Sequence, residues 1–201
     1  SSVGSLISPS KISNRFLSEQ NIKISSATVD RYLEYFDDAF VLSKANRYDI
    51  SGARYYQTNN KYYYTDVGLR NARLNFPQKD QGHIMENIIY IDLIKRGYKV
   101  DVGIMRDNYR VDGRLTQRQL EVDFMVTGAN ERYYIQAALT LDDVKTIERE
   151  IRPLNKIKDN FIKIVVIKNY TGSFYDKDGI FYINLKDFLL NENLAEITKR
   201  W

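Results

Sequence analysis

Residues 120–140 read LEVDFMVTGANERYYIQAALT. Asp123 lies on a stretch where polar and apolar residues alternate, a Gly-Ala-Asn turn follows, and Gln136 and Ala138 lie on the next alternating stretch. Upstream, Glu86 sits inside the apolar run HIMENIIYIDLIKRG at 83–97. The pattern is that of a metal-dependent centre for cutting phosphodiesters, with two of its positions changed. Such chemistry uses hard carboxylate oxygens to hold Mg²⁺, which lowers the pKa of a bound water, and a lysine that places or activates that water. Glu86 and Asp123 are the candidate metal ligands. Gln136 offers a neutral, weaker oxygen where a carboxylate belongs, and Ala138 has no functional group where the lysine belongs. Lys145, farther along, is the candidate for a relocated lysine. His83, the only histidine, is a candidate base. Each residue also has a plainer role: Glu86 suits the first turn of any helix, Lys145 an exposed helix face, and His83 a local hydrogen bond.

These side chains meet only if the elements carrying them are placed correctly. The run 83–97 is apolar almost all round, as expected of a helix buried on most sides and ended by Gly97. KVDVGIM then reads as a strand. Leu120, Val122, Phe124 and Val126 alternate with Glu121, Asp123 and Met125, and RYYIQAAL alternates in turn, so the two form a hairpin. If Thr127 faces Arg132 across the turn, Asp123 faces Gln136. Thr140 is expected to cap a helix in which Val144, Ile147 and Ile151 keep a period of 3.6, and Pro153 to stop it. FIKIVVIKN and GIFYINL read as two further strands, and LKDFLL as a short helix. The order α-β-β-β-α-β with a trailing strand and helix is the core of the restriction-endonuclease-like fold, an α+β arrangement with a mixed central sheet.

The first part of the chain has a different rhythm. Ser8 and Pro9 form an N-cap and first-turn pair ahead of Ile12, Phe16 and Leu17, and Asn21 ends that helix. Ser26 is expected to cap a second helix carrying Val29, Leu33 and Phe36 on its buried face, running to about Ala39. FVLSKANRY (40–48) and KYYYTD (61–66) read as strands flanking a turn region. Helix, helix and two-stranded wing is the order of a winged helix-turn-helix. The second helix carries Asp30, Glu34, Asp37 and Asp38 against Arg31, a charge that repels phosphate. Ser26, Thr28 and Arg31 at its start, with Lys44, Arg47, Arg54 and Lys61 around the hairpin, are the candidate nucleic-acid contacts. Contact with DNA, weak and sequence-tolerant, and contact with a partner protein both remain open.

Composition bounds these readings. With 201 residues, 43% of them hydrophobic, the chain is long enough to bury a core in one or two domains, divided by the patterns into residues 1–78 and 79–201. The formal charge of +4 comes from 10 basic and 7 acidic residues in 1–78 and from 20 and 19 in the remainder, which permits weak nucleic-acid binding without requiring it. The absence of cysteine excludes disulfides and thiolate metal sites and suits a reducing cytoplasm. No apolar run approaches the length of a membrane span. No G-x-x-x-x-G-K-[ST] stretch occurs, so an ATP cradle is not expected in these residues. The start SSVGSLISPS, which lacks an initiator methionine, suggests a piece of a longer chain.

The upstream SPSKISNRF, TVDRYLEYFDDAF, RYDI and YYYTDVGLRNA, with GHIMEN, KRGYKVDVG, EVDF, YIQAALT, RPLNKIKDN and INLKDFLL, resemble the C-terminal region of a large family of bacterial and archaeal AAA+ ATPases. That resemblance covers nearly the whole chain in the same order. It implies an ATP-binding module preceding Ser1 on the same polypeptide, then a winged helix, then a nuclease-like domain related to the PD-(D/E)XK superfamily. Some members of that superfamily keep an acidic-x-Lys pair, and this chain departs from it at Gln136 and Ala138. The expected function is therefore a non-catalytic binding module that recognises nucleic acid or a partner protein for the ATPase. The alternative is an active Mg²⁺-dependent nuclease using Glu86, Asp123 and a relocated lysine.

Overall fold

The computed structural model describes residues 5–57, 59–73, 75, 80–140 and 144–199, with the backbone alone at 144–146. Helix α1 spans Pro9–Gln20, its N-cap Ser8 accepting from the Lys11 N–H and its C-cap Asn21 in the left-handed region at φ 54°. Helix α2 spans Ser26–Asp38 and ends at Ala39, but its cap is Ser25, whose hydroxyl accepts from the Thr28 N–H. Val29 and Leu33 are buried with Ile7, Leu42 and Tyr62 in a small N-terminal cluster, whereas Phe36, expected on that face, is 46% exposed.

The stretch read as one strand at 40–48 is two. Strand β1 (Leu42–Ala45) pairs with β4 (Lys61–Tyr64) as a two-stranded sheet. After Asn46 the same extended chain continues as β2 (Arg47–Asp49), which pairs with β3 (Arg54–Tyr55) and, in parallel, with residues 102–104. Part of the first segment thus belongs to the main sheet, on the far side of the division expected at residue 78. A helix not foreseen in the sequence, α3 (Val67–Arg73), follows. Most of the break expected at 75–80 lies outside the described residues.

Helix α4 (Gln81–Lys95) is followed by Gly97 at φ +83°, a conformation that glycine adopts without a Cβ penalty. Then come β5 (Lys99–Val111), β6 (Arg114–Thr127), β7 (Arg132–Ala138), α5 (Val144–Lys156), β8 (Ile162–Ile167), β9 (Ser173–Tyr175), β10 (Ile180–Asn184), α6 (Leu185–Leu190) and α7 (Leu194–Lys199). The segment 81–167 has the expected α-β-β-β-α-β order, and the class is α+β with a mixed sheet of eight strands in the order β3-β2-β5-β6-β7-β8-β10-β9. The β2–β5, β7–β8 and β8–β10 pairs are parallel and the others antiparallel. Strand β9 and helix α7 were not legible in the sequence, and β5 and β6 are each about twice the length that their apolar alternation indicated.

Alternation along the strands fills both faces of the sheet. Val102, Ile104, Phe124, Tyr133, Ile135, Ile164, Val166, Phe181 and Ile183 pack with Met85, Ile89, Tyr90 and Leu93 of α4. Met105, Val122, Met125, Tyr134, Val165, Ile167 and Tyr182 pack on the other face with Leu154 and Ile157 at the end of α5. Pro153 lies inside α5 rather than at its end. Proline removes one backbone hydrogen bond, but burial of Leu154 and Ile157 holds the last turn in place. The cap expected at Thr140 adjoins residues 141–143, which lie outside the described residues.

Candidate functional site

Three carboxylates and one lysine converge on the α4 face of the sheet. In the β6–β7 hairpin Thr127 does face Arg132, as the turn spacing indicated. Opposite β5, the register steps from Asp101↔Met125 to Gly103↔Val122, so β6 carries one extra residue around Asp123 and Phe124. Such a bulge interrupts alternation and re-aims side chains. Val122 belongs to the α5-side cluster and Phe124 to the α4-side cluster, which leaves Glu121 and Asp123 directed toward α4. The Asp123 carboxylate accepts from the Ala137 N–H at 2.9 Å. Glu86 comes from the second turn of α4, not the first, because the helix begins at Gln81.

At the centre stands Lys61, from β4. Its Nζ lies 2.8 Å from Glu86 Oε1, 2.7 Å from Glu121 Oε1 and 4.0 Å from Asp123 Oδ1, and the residue is 3% exposed. Tyr63, two residues along the same strand face, donates its hydroxyl to Glu86 Oε1 at 2.6 Å. The hairpin that presents both is locked to α4. The side-chain amide of Asn87 bonds the N–H and carbonyl of Tyr64, Tyr63 stacks on Tyr90 at 4.2 Å, and the Tyr90 hydroxyl meets that of Ser43 at 2.8 Å.

The electrostatics follow from burial. Desolvation pushes the Asp123 carboxyl well above its ordinary range and Glu86 adds to the shift, with Lys61 and the Ala137 N–H opposing it. For Lys61 burial disfavours the charge, but Glu86, Asp123 and Glu121 together outweigh it and hold the ammonium above the ordinary lysine value. Burial and Glu86 raise the Tyr63 phenol. Lys61 is thus a fixed cation with no tendency to act as a base near neutrality.

The remaining candidates distribute differently. Gln136 is buried, flanked along β7 by Tyr134 and Ala138 of the α5-side cluster. Its Oε1 accepts from the Asp123 N–H at 3.3 Å, so it braces the backbone of Asp123 instead of joining the carboxylates. The side chain of Lys145 lies outside the described residues. His83 meets Asp80 at 2.5 Å and Ser5 at 3.3 Å. Of the cations assigned to nucleic acid, Lys61 is consumed by the carboxylates, and Arg47, 5% exposed, donates to Gln119 and lies over the Tyr56 ring. Neither faces solvent, because the strands that carry them are covered on both sides. Arg54 is exposed beside Asp49, and Lys44 is half-buried. Ser26 and Arg31 are exposed at the start of α2, while Thr28 is engaged with the Ser25 hydroxyl at 2.9 Å.

The donor set can be tested against Mg²⁺. Hard oxygen ligands are present, but Glu86 and Glu121 close on an ammonium at hydrogen-bonding distance, with Asp123 4.0 Å from it. Among the described residues no three His, Cys, Asp or Glu side chains are grouped so as to hold a metal ion. As arranged, the cluster does not fit the metal, and no catalytic step is derived through one. Lys61 is expected from sequence at a nucleic-acid surface, and its place among the carboxylates is not, although a signal for it exists. KYYYTD is aromatic on both faces, and a lysine in a strand buried on both faces requires a carboxylate partner.

A family model described as a domain of unknown function (DUF8612) matches residues 1–80. An uncharacterized protein of Haemophilus influenzae is 37% identical over 191 residues, covering 94% of this chain and 43% of its own length. The uncharacterized protein MJ1544 of Methanocaldococcus jannaschii is 34% identical over 202 residues, covering 97% of this chain and 40% of its own length. The chain therefore spans about two fifths of the length of these curated relatives. No solved structure matches it. Among the described residues no helix is long and apolar enough to cross a membrane.

Proposed function

We propose that this chain is a non-catalytic binding module in which a nuclease-like core, related to the PD-(D/E)XK superfamily, carries an internal lysine in place of a metal ion. A winged-helix-like segment supplies that lysine. The observation behind this reading is the position of Lys61, held between Glu86 and Glu121 at 2.8 and 2.7 Å and nearly shielded from water. A tethered ammonium neutralises the carboxylates as a cation would, but it has no open coordination position for a water or a phosphate oxygen, and both are required for metal-assisted hydrolysis. The greater length of the curated relatives leaves room for an ATPase module of the AAA+ class on the same polypeptide, for which this chain would recognise nucleic acid or a partner protein. Action in the cytoplasm belongs to the same reading.

The active-nuclease alternative requires Lys61 to withdraw so that Glu86 and Asp123 can take up Mg²⁺. Incubating the chain with plasmid and single-stranded DNA in Mg²⁺ and in Mn²⁺ separates the two, with Asp123→Asn as the control for contaminating nuclease. No cleavage is expected. Cleavage that disappears in Asp123→Asn would establish the enzyme.

A further inference from the structure

Strands β5 and β6 run well past their neighbours. Strand β2 covers only residues 102–104 of β5, and the paired part of β7 meets only residues 124–127 of β6. Among the described residues no third strand pairs with the six pairs from Arg106↔Gln119 to Val111↔Arg114, which make a two-stranded ribbon that extends roughly 20 Å beyond the sheet at ~3.4 Å per residue. Its turn is Asp112-Gly113, both at positive φ (49° and 77°), the conformation that matches the twist of a tight hairpin.

Isolated ribbons are marginal, and this one is braced on one side. Residues opposite each other in an antiparallel pair share a face, so Asp107, Arg118, Tyr109 and Thr116 lie together. Arg118 bonds the Asp107 carboxylate at 2.6 and 2.9 Å and covers the Tyr109 ring at 4.5 Å. Lys156 of α5 reaches the other Asp107 oxygen at 3.0 Å. The ribbon is thereby fixed to the body, and Asp107 is neutralised.

The opposite face is exposed and carries no carboxylate. Arg106, Asn108, Arg110, Leu115 and Gln117 lie along it, all exposed, with Leu115 at 73%. Gln119 at the base anchors to Arg47. Gln117 donates to Asn108 at 3.0 Å, a bond that uses neither the Asn108 amide nitrogen nor the Gln117 amide oxygen. Arg106, Arg110 and, near the tip, Arg114 make no ion pair among the described residues. The ribbon's second carboxylate, Asp112, is confined to the turn.

We propose that this ribbon is a duplex-DNA-binding arm that enters the major groove with its Arg106–Gln117 face. The proposal rests on the binding-module reading and names its ligand. A two-stranded ribbon fits a B-form major groove about 12 Å wide, where arginine reads guanine, asparagine or glutamine reads adenine, and an apolar side chain meets the thymine methyl. A protein partner is disfavoured by this face, which offers one exposed apolar side chain among cations and amides. Duplex RNA is disfavoured by its narrow, deep major groove.

The test is fluorescence anisotropy of the 201-residue chain with labelled duplex DNA, duplex RNA and single-stranded DNA in EDTA at several KCl concentrations. Working in EDTA keeps binding separate from metal chemistry, so a cleavage result that overturned the non-catalytic reading would leave this measurement standing. Duplex DNA should bind best. Arg106→Ala with Arg110→Ala should weaken binding by about tenfold or more and, where both cations meet phosphate, lower the salt slope by up to about 1.8. Both side chains are exposed, and matching circular-dichroism melts would verify the fold. Lys44→Ala with Arg54→Ala should leave binding unchanged. The inference is overturned if the native chain does not bind duplex DNA, if it binds duplex RNA or single-stranded DNA equally well, or if the Arg106/Arg110 pair leaves the affinity unchanged, whether or not the Lys44/Arg54 pair carries it. The first outcome would leave the binding-module reading with a protein partner.

Discussion

Replacing Lys61 with methionine keeps most of the stem and removes the ammonium. That ammonium faces Glu86 at 2.8 Å and Glu121 at 2.7 Å, with Asp123 at 4.0 Å, and the lysine side chain is 4% exposed. Breaking a buried ion pair from one side costs about 3–5 kcal/mol, because the other charge remains buried without a partner. Glu121, whose side chain is 32% exposed, retains much of its hydration, which places the expectation at about 3 kcal/mol. In a chain of 201 residues each kcal/mol shifts Tm by about 2–4 °C, so Lys61→Met should melt roughly 6–12 °C below the native chain at pH 7. The deficit should depend on pH. The Asp123 carboxyl is raised by burial and by Glu86, and Lys61 opposes the rise, so removing Lys61 raises it further. A carboxyl raised in the folded state gives stability that is complete below its unfolded pKa, near ~3.9, and lost as pH climbs through the folded value. The gap between variant and native chain should therefore narrow as pH falls through the folded values of Asp123. With the ammonium removed, Mn²⁺ is expected to bind the freed carboxylates, adding about 2.7 kcal/mol at about one hundred times its Kd. Circular-dichroism melts across a pH series, in EDTA and in Mn²⁺, read all three effects. Identical melting of variant and native chain at pH 7 would refute the argument that the ammonium holds the cluster. A variant indifferent to both acid and Mn²⁺ would refute the claim that unpaired carboxylates are what it leaves behind.

Two further perturbations probe the same architecture. Lys61 and Tyr63 are both raised in the folded chain, so their contribution to stability is complete below their unfolded values, near ~10, and lost as pH rises toward the folded ones. Denaturant melts should show stability falling above about pH 10, less steeply in Tyr63→Phe; an alkaline limb identical in that variant would show that Tyr63 is not coupled to the cluster. A Cβ added at Gly103 would come 2.9 Å from Ile50 Cδ1 and 3.1 Å from Val122 Cβ, where β2 meets β5, so Gly103→Ala should cost about 1–3 kcal/mol of overpacking. An unchanged midpoint in urea would mean that the β2–β5 contact yields freely.

What could be read in the sequence was what local periodicity encodes. Asp123 and Glu86 were identifiable because each sits in a strongly patterned element, and the register at Thr127 and Arg132 followed from the length of one turn. Lys61 was not, because its partners lie 25 and more residues away and depend on the β1–β4 hairpin docking against Asn87 and Tyr90. A lysine beside three tyrosines reads as a solvent-facing wing until that docking is known. The facing of Gln136 depended on the bulge at Asp123, which shifts a side chain from one face to the other without any change in local composition. The ribbon escaped for the opposite reason. RDNYRVDGRLTQRQ buries almost nothing, so it has no apolar alternation, and its Asp-Gly turn was the single local cue. Pro153 misled because helix termination was judged from backbone chemistry, whereas burial of Leu154 and Ile157 decided the outcome.

The position of Lys61 also bears on how such chains change over generations. A residue in the first eighty supplies the counter-charge for three acids that come after it, while Asn46 and Arg47 carry the same backbone from the small sheet into the large one. Exchange of either part by recombination near residue 80 would deliver acids without their cation or a cation without its acids, and each orphaned half would carry the loss of stability expected of Lys61→Met. The two parts are therefore expected to be inherited together, and residues at positions 61, 86, 121 and 123 to change in concert across relatives.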